Sequence, residues 1–240
     1  AAVAVRGSFD DCQRLAKEAF ADRQLQSRLG LTSANSISLG RLLPQLFYHA
    51  YVALQSPGVT IAVPSGNFGN LVAGVLAWRL GAPIDGFSAP TTINDTVPRY
   101  LASGRVEPRP SVAPIANAMD IGNPSNLQRL QWLFDGDLDR VRALIRSTPY
   151  TDDDVRGAIR ELFDRFGYVA DPHTAIAYLG CQAPKAPRFL STAHPAKFRE
   201  VVEPVIGHPV PLPEALAQSL ARKKVMSRIT PTLGELVDLL

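Results

Sequence analysis

A largely apolar, β-branched pentad, Val59-Thr60-Ile61-Ala62-Val63, runs directly into Pro64-Ser65-Gly66-Asn67-Phe68-Gly69-Asn70 and then into an alanine- and leucine-rich stretch over 71–80. That order predicts a buried strand, a tight turn and a helix, the repeating unit of an α/β protein. Two glycines three apart let successive backbone N–H groups point at one centre without Cβ clashes. The free N–H groups that open the following helix add the positive end of its dipole. The result is an anion cradle, and the favoured ligand is a phosphate. The loop has neither the Gly-Lys-Ser/Thr of a nucleotide P-loop nor the GxGxxG of dinucleotide folds, so by spacing alone an ordinary strand-to-helix turn fits the same residues.

The rest of the chain extends the alternation. Residues 2–5 predict a short buried strand of a parallel sheet, and Ser8 caps a helix whose first turn carries Asp10 and Asp11. A long helical pattern covers 39–54, with Pro44 near its start or kinking it, and feeds the central strand. A second strand is expected over 84–89. The segment 90–126 contains Pro90, Pro98, Pro108, Pro110, Pro114 and Pro124 and reads as a long irregular connection. Within it, Asn94, Asp95 and Thr96 stand just past a strand end, where open parallel sheets place their ligands. Helical patterns follow over 127–147 and 152–166. The triplet Asp152, Asp153, Asp154 suits the dipole of a first helical turn better than a metal site, since consecutive residues do not share a helix face. Pro172 opens another helix with His173 in its first turn, a position for packing or capping more than for a general base. Residues 188–192 read as the last strand, and helices close the chain over 195–207, 214–222 and 233–240. Thr192, at the end of that strand, faces the same crevice as the 65–70 loop. A phosphate cradle and a hydroxyl opposite suit a flat heteroaromatic cofactor held at two points.

Bulk properties narrow the function classes. A chain of 240 residues with 46% hydrophobic content can bury a substantial core in one or two domains. The net charge of +3 is scattered, with no basic block that would track a nucleic-acid backbone. Two widely separated cysteines, Cys12 and Cys181, form neither a metal spacing nor a disulfide framework, and predict a reducing, cytoplasmic setting. No apolar run approaches the length of a membrane helix. The first residue is Ala1, already inside a predicted strand, so the start is expected to be internal to a longer protein.

Taken whole, the heptad Pro64 to Asn70 resembles the pyridoxal-phosphate loop of the threonine synthase family. Further stretches resemble that family in its order: Gly7-Ser8-Phe9-Asp10-Asp11-Cys12, Ala34-Asn35-Ser36-Ile37, Asn94-Asp95-Thr96-Val97-Pro98-Arg99, Asn123-Pro124-Ser125-Asn126, Asp171-Pro172-His173-Thr174-Ala175 and Thr192-Ala193-His194-Pro195-Ala196-Lys197-Phe198. The resemblance implies the β family of pyridoxal-phosphate enzymes, fold type II: an α/β fold with a mostly parallel open sheet covered by helices. Residues 1–240 would be a carboxyl-terminal portion, mainly the large cofactor-binding domain.

It also implies the family reaction, conversion of O-phosphohomoserine and water to threonine and phosphate, with pyridoxal 5'-phosphate as electron sink. By the same resemblance, Gly66, Asn67, Phe68, Gly69 and Asn70 hold the cofactor phosphate, and Thr192 meets the pyridine nitrogen. Asn94, Asp95, Asn123 and Asn126 match family motifs as substrate or site-lining candidates. No metal, nucleic acid or membrane partner is expected. One element of the pattern is missing. The lysines are Lys17, Lys185, Lys197, Lys223 and Lys224, and none stands in the family's Phe-Lys-Asp context. No catalytic residue is therefore assigned in this chain, and the chain alone is expected to be inactive. Two alternatives stay open: another β-family lyase such as a threonine dehydratase, or a non-catalytic module that binds a phosphorylated metabolite.

Overall fold

The protein is described by a computed structural model covering residues 2–181 and 188–240. In chain order the elements are β1 (Val3–Val5), α1 (Phe9–Ala21), α2 (Arg23–Leu29), α3 (Leu39–Leu42), α4 (Leu46–Gln55), β2 (Val59–Ala62), α5 (Gly69–Arg79), β3 (Ile84–Ser88), α6 (Thr96–Ser103), α7 (Leu127–Leu133), α8 (Leu138–Leu144), β4 (Ile145–Arg146), α9 (Asp152–Phe166), α10 (Pro172–Gly180), β5 (Arg188–Phe189), α11 (Arg199–Ile206), α12 (Glu214–Leu220), β6 (Ser227–Ile229) and α13 (Leu233–Val237). Short 3-10 turns lie at Leu43–Gln45, Asn117–Met119 and Pro195–Phe198.

Two compact units result, one of residues 1–34 with 212–240 and one of 35–211. In the smaller, β1 pairs in parallel with β6, Val3 opposite Ser227 and Val5 opposite Ile229. The first strand is thus parallel as expected, but it is only half-buried and lies in a two-stranded sheet of its own. Its partner β6 had no signal in the sequence, because three residues with two polar side chains carry no periodicity. Ser8 and Asp11 form a reciprocal capping box at α1, and Leu15, Ala19 and Leu25 are buried.

The larger unit holds a four-stranded parallel sheet in the order β4-β3-β2-β5. In the central strand β2, Val59, Ile61 and Ala62 are buried and Thr60 is half-buried, so both faces are covered, which is why its sequence is largely apolar rather than strictly alternating. Its core also contains Leu42, Ala53, Leu71, Val75, Phe87, Leu130 and Ile145. Three expectations are corrected here. The helix expected over 39–54 is interrupted, because Pro44 sits inside a 3-10 turn between α3 and α4. The irregular connection over 90–126 contains α6; its Pro98 stands in the first helical turn, where N–H groups lack intrahelical partners anyway. The helix expected over 127–147 is broken at Asp135 and Gly136, both with positive φ (54° and 75°), and ends in β4.

In a parallel sheet, all strands point their carboxyl ends to one edge. The loops after β2, β5 and β3 therefore emerge together. The strand expected over 188–192 is regular only at Arg188 and Phe189, although the Leu190 N–H still donates to the Ala62 carbonyl at 3.0 Å.

Candidate functional site

At that edge lies an open cavity of about 810 Å³. Its walls come from Pro64 and Gly66 to Asn70 after β2, from Leu190, Ser191 and Thr192 after β5, from Ser36, Arg41, Gln45 and Tyr48 ahead of β2, and from Met119 and His173. All five residues of the predicted cradle line it, as does Thr192. Asn94, Asp95, Asn123 and Asn126 do not.

The cradle departs from expectation in how it is built. The residue in the left-handed region is Phe68, with φ 62°, and neither Gly66 nor Gly69 is there. Phe68 caps α5 with its side chain buried at 2% exposure, so its packing offsets a backbone cost of about 1–2 kcal/mol. Gly69 is required for another reason: a Cβ there would stand 2.9 Å from Ser36 Cβ and 3.4 Å from Asn126 Nδ2. Among the described residues, no protein acceptor is found for the amides of Gly66, Asn67, Phe68 and Gly69. Those donors, at the start of the 11-residue helix α5, are available to an anion.

Side chains fix the loop from behind. Asn67 donates through Nδ2 to Ser36 Oγ at 2.8 Å and accepts at Oδ1 from the Ser125 N–H at 2.6 Å and its Oγ at 3.0 Å. Asn70 Nδ2 donates back to the Pro64 carbonyl at 2.9 Å, and Asn70 Oδ1 accepts from the Leu71 N–H. His49, fully buried on α4, places Nε2 2.9 Å from the Asn70 carbonyl. A carbonyl only accepts, so Nε2 carries the proton. Burial drives the His49 pKa down to about 4 against the opposing effect of that carbonyl, and the ring is neutral at pH 7.

Arg129 completes the support. It donates to Asn126 Oδ1 and to the Ser36 carbonyl, both at 2.6 Å, and to the Ile37 carbonyl. Ser36 and Ile37 thus meet the 123–126 motif behind the 65–70 loop, with Asn126 fully buried. Asn123 is exposed. Asn94 exchanges two bonds with the backbone of Val112, at 2.9 and 2.8 Å, and Asp95 pairs with Arg99 at 2.8 Å. Both order the 90–122 connection.

On the opposite wall, Asp171 caps α10 and is almost fully buried. Burial pushes its carboxyl up, but bonds from His173 and Thr174 outweigh that and hold it below the usual carboxylate range. His173 Nδ1 lies 2.8 Å from Asp171 Oδ2, and its ring packs 5.0 Å from that of Phe198. Thr174 Oγ1 reaches both Asp171 and, at 3.0 Å, Ser191 Oγ beside Thr192. Sequence reasoning gave no role to His49 or Arg129. Their only signal was polarity at positions where a helix faces the core, and that shows only once the faces are known.

A parallel α/β sheet with a phosphate-type cradle at its carboxyl edge defines the class: a fold type II, pyridoxal-phosphate-enzyme-like domain, as the structural comparisons show. Threonine synthase from Escherichia coli superposes with a TM-score of 0.92 at 39% identity, over 99% of this chain and 57% of that protein. The pyridoxal-phosphate-bound threonine synthase from Brucella melitensis gives 0.84 at 30% identity, over 99% and 58%. The threonine synthase of Serratia marcescens is 42% identical over 98% of this chain and 56% of its own length. Residues 177–238 match the family described as "Threonine synthase, C-terminal". The chain belongs to the threonine synthase family, as a carboxyl-terminal portion, and spans a little over half the length of these relatives.

Proposed function

We propose that this chain is the cofactor-phosphate-holding portion of a pyridoxal-phosphate-dependent threonine synthase, which converts O-phosphohomoserine and water to threonine and phosphate. The observation that carries the reading is the convergence of the unpartnered amides of Gly66, Asn67, Phe68 and Gly69 with Thr192 on one cavity. In this reading those amides and the amino end of α5 bind the cofactor phosphate, with Asn70 closing the loop beneath it. Thr192 offers the pyridine nitrogen a neutral hydroxyl, which does not enforce a protonated ring. Bound pyridoxal phosphate supplies an electron sink that stabilises carbanions, so that phosphate can leave from the γ carbon before water adds at the β carbon. Asn126 and Asn67 act on the loop from behind, and Asn94, Asp95 and Asn123 act on the neighbouring connection. Span 1–240 is assigned mainly to the large cofactor domain, in a cytoplasmic enzyme.

Such a cofactor also needs a lysine amine, and among the described residues no lysine lines the cavity. The 240-residue chain by itself is therefore assigned no turnover. The same observation favours a second reading, a module that binds a phosphorylated metabolite, for the case where the chain acts alone. The test is phosphate release from O-phosphohomoserine by the full gene product with pyridoxal phosphate. No release overturns the activity, and keto-acid release from threonine instead would assign a threonine dehydratase.

A further inference from the structure

The amides of Gly66, Asn67, Phe68 and Gly69 can only donate hydrogen bonds, and His173 brings the opposite character to the same cavity. It lines the wall with 5% of its surface exposed. Its ring is fixed by two neighbours. Nδ1 and the backbone N–H lie 2.8 and 2.9 Å from Asp171 Oδ2, while Thr174 donates to the other oxygen of that carboxylate, and the Phe198 ring packs 5.0 Å away. An ionised carboxylate only accepts hydrogen bonds, so Nδ1 carries the ring proton. In the neutral ring Nε2 is then a bare lone pair. That nitrogen is buried and finds no partner among the described residues. His49 Nδ1 is orphaned in the same way, but His49 does not line the cavity.

A buried polar atom without a partner is costly, so one held at the wall of a binding cavity calls for a partner from the molecule bound there. The buried carboxylate behind the ring adds negative potential to the lone pair. Together they attract an N–H or O–H and repel the oxygens of a phosphate or carboxylate. We propose that His173 is a ligand-contact residue, whose Nε2 accepts a hydrogen bond from an N–H or O–H of the molecule bound in the cavity. The phosphate of that molecule goes to the amide cradle and a donor-bearing edge goes to His173, so two sites of opposite character set which way round it lies. The inference rests on the pyridoxal-phosphate reading of the cavity and deepens it. The donor belongs either to the cofactor or to the amine of the amino-acid substrate, and the test separates the two.

The test uses the full gene product and 4'-deoxypyridoxine 5'-phosphate, which keeps the cofactor's ring, hydroxyl and phosphate but has no aldehyde, so its binding needs no lysine. Inorganic phosphate, which fills the cradle alone, is the control, and both affinities are read by phosphorus NMR titration. His173→Phe removes the acceptor, and His173→Gln keeps one. The expected result is about tenfold weaker binding of the analogue by the Phe variant, largely restored in the Gln variant, with phosphate affinity unchanged in both. In wild-type protein carrying nitrogen-15 histidine, the analogue should move the Nε2 signal of His173 and phosphate alone should not, a readout that stands even where a variant fails to fold. A signal that moves only when O-phosphohomoserine is added to the analogue complex would assign the donor to the amino acid and support the proposal in that form. A signal that moves in neither case overturns it, as does an equal loss of both affinities in the Phe variant, the mark of a purely structural histidine. Wild-type protein that binds neither phosphate nor the analogue would remove the pyridoxal-phosphate reading itself, and this inference with it. Analogue binding with an unmoved Nε2 removes the inference alone.

Discussion

Gly69 and Phe68 divide between them a task that sequence spacing assigns to glycines alone. Gly69 is needed for close approach to Ser36 and Asn126, not for a positive φ. Gly69→Ala is expected to push these neighbours apart and cost about 1–3 kcal/mol, read from the urea midpoint. Asn67→Ala leaves the Ser125 N–H without its acceptor and removes the bond to Ser36 Oγ, at a similar cost of about 1–3 kcal/mol. His49 gives the residue scale a pH signature. Its folded pKa of about 4 lies below the ordinary 6.5, so below pH 6.5 the unfolded chain binds a proton that the folded one refuses. Stability is complete above pH 6.5 and falls with pH down to about 4, at up to about 1.4 kcal/mol per pH unit. His49→Gln should flatten the fall in urea titrations between pH 7 and pH 5. An unchanged slope would show that other groups set it.

At the scale of elements, two helix starts look alike in sequence and differ in consequence. Thr151 and Asp154 form a capping box on the exposed start of α9. Thr151→Ala should cost about 1 kcal/mol of stability and leave pyridoxal-phosphate affinity untouched. Asp171 caps α10 but also holds His173, which lines the cavity, and Thr174, which bonds Ser191 of its wall. Asp171→Ala should therefore lower both the melting temperature and cofactor affinity, measured by thermal unfolding with and without pyridoxal phosphate. The strands β2 and β3, the loop between β2 and α5, and helix α9 were legible because a short apolar run, a glycine-bearing turn and an amphipathic helical rhythm are each sharply bounded. α6 and the break between α7 and α8 were not. Prolines in the 90–126 stretch outvote a short amphipathic pattern, and Leu127 to Leu144 keeps a helical rhythm across a turn that only the backbone at Asp135 reveals. Around the site, the line of donors could be read directly. The supports at Ser36, Ser125 and Arg129 come from segments far apart in sequence, and no local pattern announces that they meet.

For the whole molecule, the parallel sheet explains why the wall after β2 and the wall after β5 face one space although 120 or more residues separate Asn70 from Thr192 in the chain. The 240-residue chain, mixed with O-phosphohomoserine and pyridoxal phosphate, is expected to release no phosphate in a colorimetric assay, and release would show that an amine within the chain suffices.

The three-way junction at the Asn67 side chain has a temporal meaning as well. Its bonds close separations of 31 residues to Ser36 and 58 residues to Ser125, and a contact of that span forms only after the chain between has collapsed. The anion cradle thus acquires its shape only once these separate segments have met. Phosphate added at the start of refolding would find nothing to hold, and the same ion added at the end would slow unfolding without having hastened folding.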